Sequence, residues 1–195
     1  MRRAGKVNLI TADPTGSAPG SGADLLQVTD LKTSYLTEKG VVKAVNGVSL
    51  TLGRGRTLGV VGESGSGKTQ LARSIMGLLP TRNVVRSGSI VYEGREIIDL
   101  HQAAMRQVWG SEMSMVFQDP MTSLNPVVKI GRQITESLRF HLDLDRSEAR
   151  DTAVALLASV GIPEPAQRVD EYPHQLSGGM RQRVMIAIAL ACGPK

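Results

Sequence analysis

The chain has 195 residues, 41% of them hydrophobic, which allows one domain with a substantial core and a small second subdomain. Its formal net charge is +5, from 23 Lys and Arg against 18 Asp and Glu, but the basic residues are scattered along the sequence and aromatics make up only 3%, a pattern that speaks against nucleic-acid binding. One cysteine, Cys192, excludes an internal disulfide framework or cysteine metal site and fits a reducing setting, and no apolar run approaches the roughly 18 residues of a membrane span.

In chain order, Met1 to Val7 lacks the apolar segment of a secretory signal. Residues 11–23, rich in Pro, Gly and Ser, have little to bury, so residues 1–24 are expected to form a disordered leader. Strand patterns follow at Leu25 to Leu31, at Val45, Val48, Leu50 and Leu52, and at Ser89 to Tyr92, with a Glu93-Gly94 turn leading into Arg95 to Ile98. These read as a small antiparallel β region. It is interrupted by a second kind of element, an apolar run (Leu58 to Val61), a glycine loop and a helical pattern (Lys68 to Met76) that ends at Gly77 before Pro80. Leu100 to Trp109 predicts a short helix, and Met113 to Phe117 a buried strand that steps off into Gln118, where a polar side chain is placed to reach a ligand. Val127 to Gly161 is mostly helical, with a capping box at Asp145-x-x-Glu148 and Ala149, Ala153, Leu156, Leu157 and Val160 on one face. Ser177 is a good N-cap for the apolar helical run Val184 to Cys192.

The glycine loop carries the chemistry. Gly62-Glu63-Ser64-Gly65-Ser66-Gly67-Lys68-Thr69 fits G-x-x-x-x-G-K-[ST] and stands between a strand and a helix, the context this motif requires. A nucleotide's phosphates are a crowded set of anionic oxygens, best met by several backbone N–H groups. Gly62, Gly65 and Gly67 supply the backbone freedom, and the following helix aims its unsatisfied amides at the same place. Lys68 is expected to reach the β and γ oxygens, and the Thr69 hydroxyl to ligate Mg²⁺. A second anion site is expected at Ser177-Gly178-Gly179, where a capping hydroxyl and two glycines leave a helix start uncluttered.

With Leu176-Ser177-Gly178-Gly179 matching the signature L-S-G-G, residues 25–195 resemble the ATP-binding cassette of ABC transporters. The resemblance implies an α/β P-loop NTPase core of RecA-like type, incomplete, with an antiparallel β subdomain and a helical subdomain. Residues 25–126 would form the core and β subdomain, 127–175 the helical subdomain, and 176–195 the signature motif and its helix. In that family two cassettes face each other, so Ser177, Gly178 and Gly179 would close in trans on the ATP held by the partner's loop. Glu63, Ser64 and Ser66 would contribute backbone to the phosphates, and Gln118 would match the glutamine that touches Mg²⁺ and the attacking water. Tyr35 stands at about the position of the adenine-stacking aromatic. Phe117-Gln118-Asp119-Pro120-Met121-Thr122-Ser123-Leu124-Asn125-Pro126 and Tyr172-Pro173-His174-Gln175-Leu176 resemble the branch serving oligopeptide, dipeptide and nickel importers. The implied setting is the cytoplasmic face of the membrane, with a second ATPase subunit, transmembrane permease subunits and, indirectly, an extracytoplasmic substrate-binding protein as partners.

The chain stops at Lys195, where the family continues into the Walker B strand with its Mg²⁺-holding Asp and adjacent Glu, and later the switch histidine. Two readings follow: an ATPase subunit that powers import, or a nucleotide-binding module without turnover. Separate measurements of Mg·ATP binding and phosphate release discriminate them. A soluble cassette of DNA repair or translation is disfavoured by the lack of a basic, aromatic-bearing patch. The 195 residues made alone are expected to be poorly soluble or partly folded; a cooperative melt and a monodisperse size-exclusion peak would contradict this.

Overall fold

A computed structural model describes residues 8–12, 24–119 and 123–195. Two compact units divide the chain, Met1–His101 and Gln102–Lys195.

In the first unit, β2 (Asp24–Thr37) turns at Glu38-Lys39 into β3 (Gly40–Gly53), while β5 (Val84–Tyr92) pairs with the other edge of β2 and continues into β6 (Arg95–Glu96). The result is an antiparallel sheet of order β3-β2-β5-β6. Glu93 and Gly94 both take left-handed φ, 47° and 78°, the pairing a type I′ hairpin turn requires. Leu26 and Val28 lie opposite Tyr92 and Ile90, and all four are buried. A register shift after Val28, with Asp30 at φ 47°, changes the parity of β2, so that Leu31 and Thr33 are the next buried residues. Gly88 permits this bulge, because a Cβ there would stand 2.7 Å from the carbonyl oxygens of Thr29 and Asp30.

The apolar run Leu58 to Val61 is strand β4 (Thr57–Val61), followed by the glycine loop and α1 (Lys68–Ile75). α1 ends in a Schellman motif: the Gly77 amide donates to Ser74 O at 3.3 Å and the Leu78 amide to Arg73 O at 2.8 Å, with Gly77 at φ 67°. The expectation of a leader without structure over residues 1–24 is corrected at β1 (Asn8–Ala12), which pairs antiparallel with β4, Asn8 opposite Val61 and Ala12 opposite Thr57. A strand's N–H and C=O groups need a ladder, and Asn8–Ala12 supplies β4 with one. The remaining leader residues, 1–7 and 13–23, lie outside the described residues.

The second unit is helical: α2 (Gln102–Val108), α3 (Ile130–His141), α4 (Arg146–Ser159), the short α5 (Pro165–Arg168), a 3₁₀ turn at Pro173–Gln175, and α6 (Gly178–Leu190). Ile134 and Leu138 of α3, Ala149, Ala153 and Leu157 of α4, and Val184 of α6 are fully buried in one core. The capping box of α4 is present: Asp145 Oδ1 accepts the amides of Ser147 and Glu148 at 2.7 and 2.9 Å, and Glu148 accepts the Asp145 amide at 3.0 Å. The buried strand expected at Met113 to Phe117 is not formed. Met113 makes an isolated parallel bridge with Trp109, and Val116 and Phe117 are 48% and 37% exposed. Apolar content alone does not make a strand; among the described residues of this unit no strand lies alongside to share its hydrogen bonds. Pro120 to Thr122 of the importer-like stretch fall outside the described residues.

Two consequences are measurable. The Gly131 amide donates to Val169 O at 2.8 Å, and a Cβ at Gly131 would lie 2.5 Å from Val169 Cγ2 and 2.8 Å from that oxygen. Gly131→Ala is therefore expected to destabilise the second unit by about 1–3 kcal/mol, read from urea unfolding. Glu96 accepts the amides of Ile90 and Ile98 at 2.8 and 3.2 Å and the Ser89 hydroxyl. Burial acts to raise its pKa, but these hydrogen bonds outweigh it and hold the carboxyl below its usual value. Its stabilisation is complete above the unfolded carboxyl value of about 4.3 and is lost as pH falls through the lower folded value. Glu96→Gln is expected to flatten the acid limb of a stability-against-pH profile.

Candidate functional site

The loop from Gly62 to Thr69 is wound, not extended. The Ser66 amide donates to Glu63 O at 3.2 Å, and Gly65 and Gly67 take φ of 80° and 99°, conformations open to glycine. Gly67 is required twice over, since a Cβ there would stand 2.6 Å from the Ala44 carbonyl oxygen on β3. Gly65 is exposed and a Cβ on it would meet nothing within 4 Å, so open space borders the loop at that point. The Lys68 ammonium folds back over the loop and donates to Gly62 O at 2.7 Å and Glu63 O at 2.8 Å, with Ser66 Oγ at 3.5 Å. Among the described residues, the amides of Gly65, Gly67, Lys68 and Thr69 make no hydrogen bond with another part of the chain, and α1 has no side-chain cap at Gly67. Four backbone donors and one ammonium thus share one turn of chain, which fits a polyanionic phosphate group.

Two neighbouring pairs position α1 on the sheet. Thr33 Oγ1 donates to Ser74 Oγ at 2.8 Å in a buried contact, and the Tyr35 hydroxyl donates to Gln70 Oε1 at 2.7 Å. The spacing is elementary geometry: two strand residues advance about 6.7 Å and four helix residues about 6 Å, so positions 33 and 35 on β2 meet 74 and 70 on an oppositely running α1. The Ser74 hydroxyl in turn donates to Gln70 O at 2.6 Å, and Arg86 donates to Ser74 O at 2.7 Å and to Ile98 O. Burial pushes the Arg86 guanidinium below its usual pKa, while Asp99 and Glu96 act to raise it. Gln70, Ser74, Thr33 and Arg86 were not singled out from the sequence. The period-two pairing of Thr33 with Tyr35 and the i,i+4 pairing of Gln70 with Ser74 were the available signals.

Of the sequence-predicted residues, Tyr35 and Gly62 to Thr69 belong to the first unit, whereas Gln118 and Ser177 to Gly179 belong to the second. Thr69 is exposed at the second position of α1, and Gln118 is exposed in a bend. Both present side-chain oxygens suited to a hard cation such as Mg²⁺. Ser177 is the N-cap of α6, its hydroxyl accepting the Met180 amide at 3.3 Å. A Cβ on Gly178 or Gly179 would meet nothing within 4 Å, so this helix start is bare backbone. It is held from behind by buried Leu176, whose carbonyl accepts from Arg181 Nε at 3.0 Å, and by Arg183, which donates to Gly161 O at the end of α4.

Residues 45–195 match the family model described as ABC transporter. The oligopeptide transport ATP-binding protein OppD of Bacillus subtilis (strain 168) is 49% identical over 172 residues, covering 88% of this chain and 48% of that protein. OppD of Salmonella typhimurium is 48% identical over 178 residues, covering 91% of this chain and 53% of its own length. The chain therefore spans about half the length of the curated relatives it matches. A dimeric ATP-binding cassette solved in a post-hydrolysis state with ADP and Pi superposes with a TM-score of 0.73 at 25% identity, covering 87% of this chain and 70% of that one.

The two loop glycines differ in a testable way. Gly65→Ala carries the left-handed backbone penalty alone, about 1–2 kcal/mol. Gly67→Ala adds the overlap with Ala44 O. Urea unfolding of the two variants is expected to show the larger loss at position 67.

Proposed function

From the premise that this chain belongs to the ABC transporter family, as an ATP-binding cassette of α/β P-loop NTPase fold, we propose that it is the nucleotide-binding part of a subunit that couples ATP binding and hydrolysis to the import of peptides. The observation that carries this reading is the set of amides of Gly65, Gly67, Lys68 and Thr69, without a partner among the described residues, beside the Lys68 ammonium. In this reading Gly62 to Thr69 bind the phosphates, Lys68 moves its hydrogen bonds from loop carbonyls to phosphate oxygens, and Tyr35 offers its ring to the base. Thr69 offers its hydroxyl to Mg²⁺, which when bound would draw charge from the β and γ phosphates, and Gln118 is a candidate oxygen donor on the second unit. The peptide substrate class is supported by the OppD relatives, named for oligopeptide transport.

Ser177, Gly178 and Gly179 act on the nucleotide held by another cassette, identical or homologous. Their bare helix start supports this role, and the related cassette with ADP and Pi is a dimer. The partners are then a second ATPase subunit, transmembrane permease subunits and, through them, an extracytoplasmic substrate-binding protein, with the chain peripheral on the cytoplasmic face. Among the described residues no helix is long and apolar enough to cross a membrane.

Titration calorimetry with Mg·ATP tests the assignment. Lys68→Ala removes a charge-assisted hydrogen bond of about 1.5–3 kcal/mol and is expected to weaken binding about 10- to 150-fold. Ser177→Ala is expected to leave binding to the isolated chain near normal and to impair only nucleotide-dependent dimerisation, measured by light scattering. Equal loss of affinity in both variants would contradict the division of labour.

A further inference from the structure

In the second unit, α3 and α4 enclose a concavity of about 460 Å³ that is far more basic than the chain as a whole. Lys129, Arg132 and Arg139 come from α3 and the residue before it, Arg146 and Arg150 from α4, and Asp170 is the one carboxylate of the lining. The helical repeat explains the convergence: 132 and 139 are seven residues apart on α3, and 146 and 150 four apart on α4. Gly131 lets the first turn of α3 lie directly against the Val169 backbone, with the Ile130 and Gly131 amides bonded to Glu171 O and Val169 O at 2.8 Å each. The wall of the concavity is thereby built and fixed.

Its charge is not internally balanced. Asp170 is taken by Arg150 in a two-pronged ion pair of 3.1 and 2.6 Å, and its pKa is held down first by that hydrogen bond. Lys129 stands 4.0 Å from the same carboxylate. Arg132, Arg139 and Arg146 make no ion pair or side-chain hydrogen bond with any described residue. Asp151 also acts on Arg150 through its charge, but on the arginine that is already paired. Three guanidinium forks and an ammonium thus face one concavity with a single, already neutralised carboxylate among them. Guanidinium groups match the paired oxygens of a phosphoryl group in planar, two-point contacts.

We propose that this concavity is a further anion site of the chain, separate from the glycine loop and from Ser177 to Gly179, binding phosphoryl groups through Arg132, Arg139 and Arg146, with Lys129 as an auxiliary charge. It is independent of the nucleotide loop and uses side-chain cations in place of backbone amides. The same chemistry is offered by a soluble polyphosphate and by an anionic phospholipid headgroup, and the two sources separate by experiment.

Inorganic tripolyphosphate is titrated into the full chain carrying Lys68→Ala, so that the loop ammonium does not contribute. Comparison is with the same chain also carrying Arg132→Ala, Arg139→Ala and Arg146→Ala. Binding is expected in the first and at least about tenfold weaker in the second, and it is expected to fall steeply as salt shortens the screening length below about 10 Å. No binding in the first, or equal binding in both, overturns the proposal. Mg·ATP binding with Lys68 intact is expected to be unchanged by the three arginine substitutions. Should the alanine variant lower the thermal midpoint, Arg132→Lys, Arg139→Lys and Arg146→Lys, which keep the charge but not the guanidinium fork, are expected to bind more weakly than the arginines and more tightly than the alanines, and binding no tighter than the alanine variant's also overturns the site. Once tripolyphosphate binding is lost with the arginines, flotation with phosphatidylglycerol vesicles against phosphatidylcholine vesicles assigns the source. Arginine-dependent flotation identifies the headgroup, and its absence the soluble anion.

Discussion

The close approach of Gly67 to the Ala44 carbonyl is the constraint on which the first unit depends. It places the end of the glycine loop against the backbone of β3, where no side chain fits, and so fixes where α1 begins. Everything the loop presents to an anion follows from that starting point, because the first amides of a helix project from wherever its first turn is set. The rest of α1 is registered by hydrogen bonds more than by bulk burial. Of its residues only Leu71 and Ser74 are buried, and the Thr33–Ser74 and Tyr35–Gln70 pairs tie it to β2. Each such bond contributes on the order of 1 kcal/mol net, but loss of Ser74 would strand the buried Thr33 hydroxyl, whereas Ser74 also holds Gln70 O.

That anchoring has a bearing on Tyr35. Its hydroxyl is committed to Gln70, one residue beyond Thr69, so its ring is tethered beside the phosphate loop. A ring that offers its face to a base while its hydroxyl is held by α1 would couple base and phosphate recognition through one rigid helix. The second unit follows the same logic with different parts. Ser177 caps α6, glycines keep its entrance bare, and buried Leu176 and Val184 fix its direction.

Much of this was legible in the sequence because it is local. The glycine loop, the Glu93-Gly94 turn, the Asp145 capping box and the Ser177 cap each depend on a few consecutive residues with strong conformational preferences. Failures came where the outcome depends on a distant partner. Met113 to Phe117 has a strand's composition but no ladder beside it among the described residues, whereas Asn8–Ala12, set in a polar leader, is drawn into β4. The parity change in β2 was hidden for a related reason: it depends on Gly88 across the sheet as much as on Asp30 itself.

Charge is redistributed by folding in the same way. Read along the chain, the cations are scattered, yet five of the 23 converge when α3 and α4 fold against each other, because seven- and four-residue separations become adjacency on a helical surface. The two anion-facing features then differ in kind. The glycine loop uses neutral dipoles whose effect is confined to the space they surround, so it tolerates no Cβ at Gly67 and demands one shape of ligand. The arginine-lined concavity uses net charge on flexible stems, which acts over a screening length and accepts oxygens in several arrangements. A site built on backbone donors selects by geometry and a site built on side-chain cations selects by charge, so the two can share one chain without competing for the same chemistry.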